Sequence, residues 1–304
     1  MSDVTTRPPD RFGKWLVSGP PLAYLIFFFA LPTLIMVLAS FRTPGEFGGL
    51  APLVDEDGKL DLNVESYTRF FTEPVYAQVF LKSVWFATAT TLACLLLAYP
   101  LASLIARSPK RYRDLLLLLV ILPFWSNFLI RVYAWMIILG PNAALARTVN
   151  GLLGFFGADP VPLLFSSFAV LVCLVYVHLP FMVLPLYANL EKHDQALLDA
   201  AQDLGANAWQ RFWRITFPLS LPGVYAGAAL VFIPALGIFA IPDILGGPND
   251  SLIGNVIKQQ FLETRDWPFG SVLSIVLTVA ALLLAGLAAW VARTNASDGA
   301  RARA

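Results

Sequence analysis

The stretch Asp199-Ala-Ala-Gln-Asp-Leu-Gly205 lies between two long apolar runs and continues through Asn207, Ile215 and Pro218 to Leu221-Pro222-Gly223. Its residue types suit docking rather than catalysis. Asp194 can cap a helix start and Gly205 can end one, which predicts a short helix over 195–204. Ala200, Ala201 and Gly205 then offer so little side-chain bulk that another protein's surface can come close. Asn207 can cap a second short helix that ends before Pro218. The other reading of the same pattern is an amphipathic surface loop that docks on nothing.

A second set of chemically capable residues sits inside apolar runs. One run reads Leu122-Pro123-Phe124-Trp125-Ser-Asn127-Phe-Leu-Ile-Arg131-Val-Tyr133-Ala-Trp135, and a cation there must face protein or water rather than lipid. Asn127 and Arg131, four apart, share a helix face. A rise of about 1.5 Å per residue from Leu115 puts Arg131 in the outer third of a membrane. It reads either as the lining or gate of a pathway or as half of a structural ion pair. In a later run, Gly223 and Gly227 permit close helix contact, and Pro234, Gly237 and Pro242 predict a helix broken or bent toward its outer end. Backbone exposed at such a break is tolerated only when buried in protein or lining a watery cavity. Asp243 at the break is a candidate for cation contact, with pairing to Arg131 as the alternative. His178, beside Pro180, reads as a hydrogen-bonded packing residue or a proton relay. No phosphate-binding G-x-x-x-x-G-K-[ST] loop, metal-spaced Cys/His set or G-x-S-x-G turn occurs. The reading is therefore of a chain with no catalytic residues, no metal site and no cofactor of its own.

The elements that must position these residues are membrane spans. The 304 residues are 58% hydrophobic and only 13% charged, and the mean hydropathy is +0.68, too little polar material to cover a soluble globule of this size. A net charge of +1 argues against a nucleic-acid partner. Cys94 and Cys173 both fall in apolar runs and read as packing residues. Six runs can cross about 30 Å of hydrocarbon, at approximately 16–40, 79–106, 115–139, 163–188, 219–245 and 271–292. The first follows Arg11 and Lys14 and ends on the cleavage-like Leu38-Ala39-Ser40, but it exceeds an ordinary signal h-region. A polar loop, 189–218, separates spans four and five.

Lys and Arg concentrate on the side holding both termini and the 107–114 and 189–218 loops, thirteen against six on the other side. The positive-inside rule therefore predicts both termini and the Asp199–Gly205 loop in the cytoplasm. Loop 42–78, on the outer side, carries seven acids against three bases; it reads as a surface for cations or a soluble partner, or simply as a solvated loop. The segment 251–262 has a helical apolar face too short to span and reads as a helix at the outer interface. No linker or repeat divides the chain, so residues 1–304 read as a single transmembrane domain.

The Asp199–Gly223 pattern resembles the "EAA" loop by which importer-type ABC permeases grip their ATPase, with Asp199 in place of Glu. From about residue 80 to 290 the chain resembles the first of the two homologous permeases of bacterial spermidine/putrescine ABC importers. The segments that carry this are Leu129-Ile-Arg131-Val-Tyr133-Ala-Trp135, Leu179-Pro-Phe-Met-Val-Leu-Pro-Leu-Tyr187, the 199–223 loop, Pro242-Asp243-Ile-Leu-Gly-Gly247, Leu252-Ile-Gly-Asn-Val-Ile257 and Arg265-Asp-Trp-Pro-Phe-Gly270. The resemblance implies an all-α, six-helix permease of the type I importer kind in the bacterial inner membrane. It also implies a second homologous permease, two cytoplasmic ATPase subunits carrying ATP and Mg, and a periplasmic polyamine-binding protein. Under this reading Asp199, Ala200, Ala201, Gly205, Ile215 and Pro222 couple to the ATPase. Phe124, Trp125, Asn127, Arg131, Tyr133, Phe239 and Asp243 line or flank the substrate route, where aromatic faces and a carboxylate suit a flexible polycation. The rival readings are the same machine for an opine, an amino-acid derivative or a metal, and an ion-driven transporter working through Asp243 and His178.

Overall fold

The computed structural model describes the backbone of residues 11–52, 54 and 62–301, and side-chain surroundings within 17–286. Four of the acids expected to charge the 42–78 loop, Asp55, Glu56, Asp57 and Asp61, lie outside the described residues. The described elements are helical, in the order α1 (Arg11–Ser40), α2 (Glu65–Thr72), α3 (Pro74–Arg107), α4 (Lys110–Ile121), a 3-10 turn (Leu122–Trp125), α5 (Phe128–Leu139), α6 (Ala144–Phe155), α7 (Ser167–Leu190), α8 (Gln195–Asp203), α9 (Ala208–Arg211), a π turn (Phe212–Thr216), α10 (Phe217–Gly237), α11 (Ala240–Leu245), α12 (Ile253–Leu262) and α13 (Trp267–Arg301). Among the described residues, six segments are long and apolar enough to cross a membrane: Val17–Ser40, Pro74–Arg107, Phe128–Phe155, Ser167–Leu190, Ala208–Gly237 and Trp267–Gly286.

The helix ends follow local chemistry. Pro74 occupies the first turn of α3, where its missing N–H would have no partner anyway. Ser166 caps α7, its hydroxyl accepting from the Ala169 N–H at 3.2 Å. The expected third span, 115–139, is not one helix. Pro123 cannot donate to a helical ladder, and the chain closes into the 3-10 turn, extends at Ser126 (φ −89°, ψ 151°) and restarts at α5. Asn127 is the cap of that restart, accepting from the Leu129 N–H at 2.8 Å. Counting helical rise from Leu115 therefore does not give the depth of Arg131. The expected fifth span, 219–245, breaks after Gly237, where Ile238 is extended (φ −70°, ψ 140°), and resumes as α11. Pro234 and Pro242 both sit inside helices, so the break is carried by residues 238–239.

The chain divides into two compact units, residues 73–259 with 276–304, and residues 1–72 with 260–275. The larger unit is built on α3, α7 and α10. On α3, Cys94, Ala98, Ala102 and Ile105 recur on one helical face and are fully buried against Met182, Val183 and Leu186 of α7 and Val224 and Val231 of α10. Small residues let these helices approach: a Cβ on Gly227 would lie 3.3 Å from the Met182 backbone, and one on Gly223 would lie 3.1 Å from the Pro185 carbonyl oxygen. A second core joins Val132 and Leu139 of α5, Cys173, Leu174 and Val177 of α7, and Ile241 and Leu245 of α11. Both cysteines are free and buried.

In the smaller unit, Asp266 caps α13 by accepting from the Phe269 N–H at 3.1 Å and pairs with Arg69 of α2, also at 3.1 Å. The Arg69 guanidinium lies 4.3 Å from the centre of the Phe269 ring. The Arg265-Asp-Trp-Pro run thus has a structural task, starting a helix and fixing α2.

Candidate coupling surface and cation clasp

Between α7 and α10 the chain builds the predicted polar turn. Asp194 caps α8, accepting from the Ala196 N–H at 3.0 Å. The helix closes in a Schellman turn: Gly205 has φ +81°, its N–H donates to the Gln202 carbonyl at 2.8 Å, and the Ala206 N–H donates to the Ala201 carbonyl at 2.9 Å. Asn207 and Gln210 form a reciprocal capping box at the start of α9. The helical path does not stop before Pro218. It widens into the π turn and runs directly into α10, with Pro218 in the first turn, where no N–H is needed. Ile215 therefore lies half-buried in the π turn, and Pro222 lies inside α10 with an exposed ring.

This segment presents a surface at one end and is anchored at the other. Asp199 and Ala200 are exposed, Ala201 is half-buried, and Leu204 is 89% exposed. The Arg211 guanidinium donates to the Gln202 side chain at 2.6 Å, tying α9 to α8. Asp199, Arg107, Arg211 and Phe212 border a cavity of about 220 Å³. At the root, Arg113 pairs with Glu191, and the Tyr99 and Ser220 hydroxyls lie 2.8 Å apart, joining α3 to α10. Phe212 meets Tyr99 at 5.3 Å and Trp213 meets Phe217 at 5.0 Å between ring centres. These contacts link α8 and α9 to α3 and α10.

The residues singled out within the apolar runs fall into two groups. In the first, the Arg131 guanidinium lies 5.1 Å from the Phe124 ring centre and 5.9 Å from that of Phe128, and Phe124 meets Phe181 edge-on at 5.1 Å. Among the described residues, the Arg131 Nε is buried without a hydrogen-bond partner, and the guanidinium lies over ring faces. Trp125 and Tyr133 are exposed at 76% and 49%. In the second group Asp243 is not paired with Arg131. Its Oδ2 accepts from Lys258 Nζ at 2.7 Å, and its other oxygen accepts from the Asn255 amide. That amide also donates at 3.0 Å to the Phe239 carbonyl, which accepts the Asp243 N–H at 3.0 Å as well. The alternative of pairing with Arg131 does not hold, because α12 brings Asn255 and Lys258, three apart on one face, against the α11 carboxylate. The sequence signal for this contact is a short helix with two polar residues on one face, following a break that contains an acid.

A third polar cluster gathers on Asp250, a residue whose partners lie far apart in the sequence. Lys82 of α3 donates to Asp250 at 3.2 Å and to the Asn249 carbonyl, while Ser167 of α7 donates to the same carboxylate and the Gly247 N–H donates to it at 3.0 Å. Burial works against ionisation of Asp250, but the Ser167 hydroxyl, the Gly247 N–H and the Lys82 ammonium outweigh it and hold the carboxyl below the usual range. His178 is buried, with Nδ1 2.8 Å from the Leu174 carbonyl one turn back, the arrangement of a packing residue.

The family of "Binding-protein-dependent transport system inner membrane component" matches residues 98–295. The spermidine/putrescine transport system permease protein PotB of Haemophilus influenzae is 45% identical over 86% of this chain and 88% of its own length. The PotB of Escherichia coli K12 is 45% identical over 85% of this chain and 90% of its own length. A bacterial alginate ABC transporter, solved in complex with an alginate pentasaccharide-bound periplasmic protein, has a chain that superposes with a TM-score of 0.68 over 90% of this chain and 92% of its own, at 19% identity. That likeness shows the importer-permease fold. The match across most of the chain, together with six apolar helices and the polar turn between α7 and α10, places the chain in the family of binding-protein-dependent transport system inner-membrane components, as a multi-pass permease subunit.

Proposed function

We propose that this chain is the permease subunit of an ATP-driven importer that carries polyamines of the spermidine/putrescine class across the inner membrane. The observation that carries the reading is the 45% identity to permeases of that named specificity over nearly the whole chain. The break that carries the Asp243 carboxylate, with the Phe239 ring 46% exposed beside it, suits a flexible polycation. The chain works beside a second homologous permease, two cytoplasmic ATPase subunits that supply ATP and Mg chemistry, and a periplasmic polyamine-binding protein. Both termini and α8 face the cytoplasm, an orientation supported by the Lys and Arg distribution. Asp199, Ala200, Ala201, Gly205, Ile215 and Pro222 form or brace the ATPase contact, and Phe124, Trp125, Asn127, Arg131, Tyr133, Phe239 and Asp243 flank the route.

The test is uptake of labelled spermidine and putrescine by the complete complex in proteoliposomes, with ATP inside and loaded receptor outside. ATP-dependent accumulation is expected. Uptake of another solute class but of neither polyamine would overturn the substrate assignment. For the orientation, a cysteine at the exposed position Glu46 should react with an impermeant reagent added outside; reaction only after the inner membrane is opened would reverse the topology.

A further inference from the structure

We infer that Lys258 is a built-in competitor of the substrate, its ammonium occupying the place on Asp243 that a polyamine ammonium takes in transit. The inference rests on the polyamine reading and adds a residue and a step to it. Lys258 ends in a primary alkylammonium, the same donor that terminates a linear polyamine. It meets Asp243 Oδ2 at 2.7 Å, beside the Asn255 amide and the Phe239 carbonyl at the helix break. The two charged side chains are 32% and 30% accessible on the isolated chain, so the pair is not sealed within the chain's own core.

The pair is not what fastens α12 in place. A Cβ on Gly254 would lie 2.5 Å from the Gly237 carbonyl oxygen and 2.7 Å from that of Ile238, so only glycine lets α12 seat on the open end of α10. Leu252 and Ile253 are fully buried, and the Ile253 N–H donates to the Ser83 hydroxyl at 2.8 Å. With the backbone fixed by these contacts, the four-carbon Lys258 stem can swing off Asp243 without moving the helix. An incoming ammonium then exchanges one charge-assisted contact for an equivalent one, and the return of Lys258 displaces the substrate in turn.

The experiment uses the complete importer in nanodiscs, held in its ATP-bound state by a hydrolysis-inactive ATPase, and measures the half-saturating concentration of labelled spermidine. Lys258→Met should lower it roughly two- to fivefold, the effect expected on removing a partly exposed lysine–carboxylate competitor, and Asp243→Asn should raise it. To remove folding as a variable, Lys258→Cys is assembled first. It is then converted either to an aminoethyl disulfide, which restores the ammonium, or to a methyl disulfide, which does not. The methyl form should bind more tightly than the aminoethyl form by the same factor. Equal affinities of the two forms, or an unchanged or raised half-saturating concentration in Lys258→Met, would leave Lys258 as a fastening only and overturn the inference. Absence of saturable spermidine binding by the parent complex would overturn the polyamine reading itself, and the displacement step with it.

Discussion

Replacement of Gly205 isolates the geometry of the coupling turn from its packing. The residue has φ +81°, and a Cβ built on it would meet nothing within 4 Å, so the cost of a side chain there is a backbone cost alone. A non-glycine residue in the left-handed region costs about 1–2 kcal/mol, with Asn tolerated best and β-branched residues worst. That cost falls on the two hydrogen bonds that close α8, from Gly205 to Gln202 and from Ala206 to Ala201. A loss of 1–2 kcal/mol shifts the closed turn against its open forms by roughly 5- to 30-fold. Uptake normalised to inserted protein should therefore fall in the order Gly205→Asn, Gly205→Ala, Gly205→Val, with Val losing on the order of tenfold. Insertion should be unchanged, because no membrane-buried contact is touched. Polyamine uptake and receptor-stimulated ATPase activity of the reconstituted complex, read side by side, decide the matter. Full uptake in the Val variant, or equal loss in Asn and Val, would show that the left-handed turn is not what presents α8 to its partner.

Ala201→Trp adds bulk on α8 beside exposed Asp199 and Ala200; it should abolish receptor-stimulated ATP turnover while leaving the amount in the membrane unchanged, as immunoblotting of membranes would report. Gly254→Ala drives a methyl group into two carbonyl oxygens and should cost at least about 1–3 kcal/mol, lowering the thermal midpoint of the purified complex, whereas Gly286→Ala, with nothing within 4 Å, should leave it unchanged. Because the Asp250 carboxyl in the folded chain lies below its usual range, its bonds to Lys82, Ser167 and Gly247 contribute fully at neutral pH and are lost as pH falls through and below that range. The thermal midpoint of the parent should drop from about pH 5 downward more steeply than that of Asp250→Asn; parallel slopes over that acid range would refute the role of Asp250.

The six-span class, the short helix with its caps at Asp194 and Asn207, and the helix-ending glycine at 205 were all legible in the sequence. Each depends on local causes: a long apolar run, a side chain that reaches its own backbone, or a residue free of Cβ strain. The break near Gly237 was legible for the same reason, although its exact place was not, since prolines are tolerated within a helix where packing neighbours hold it. What the sequence left open was which charge meets which. For Asp243 the sequence leaves both contact with a passing cation and pairing with Arg131 open, and the fold gives the carboxylate to Lys258 and Asn255 on α12 while Arg131 lies against the rings of Phe124 and Phe128. Asp250, unremarkable in the sequence, became a junction between α3 and α7. Pairing of this kind depends on distances between segments far apart in the chain, and those distances are set only when the helices pack.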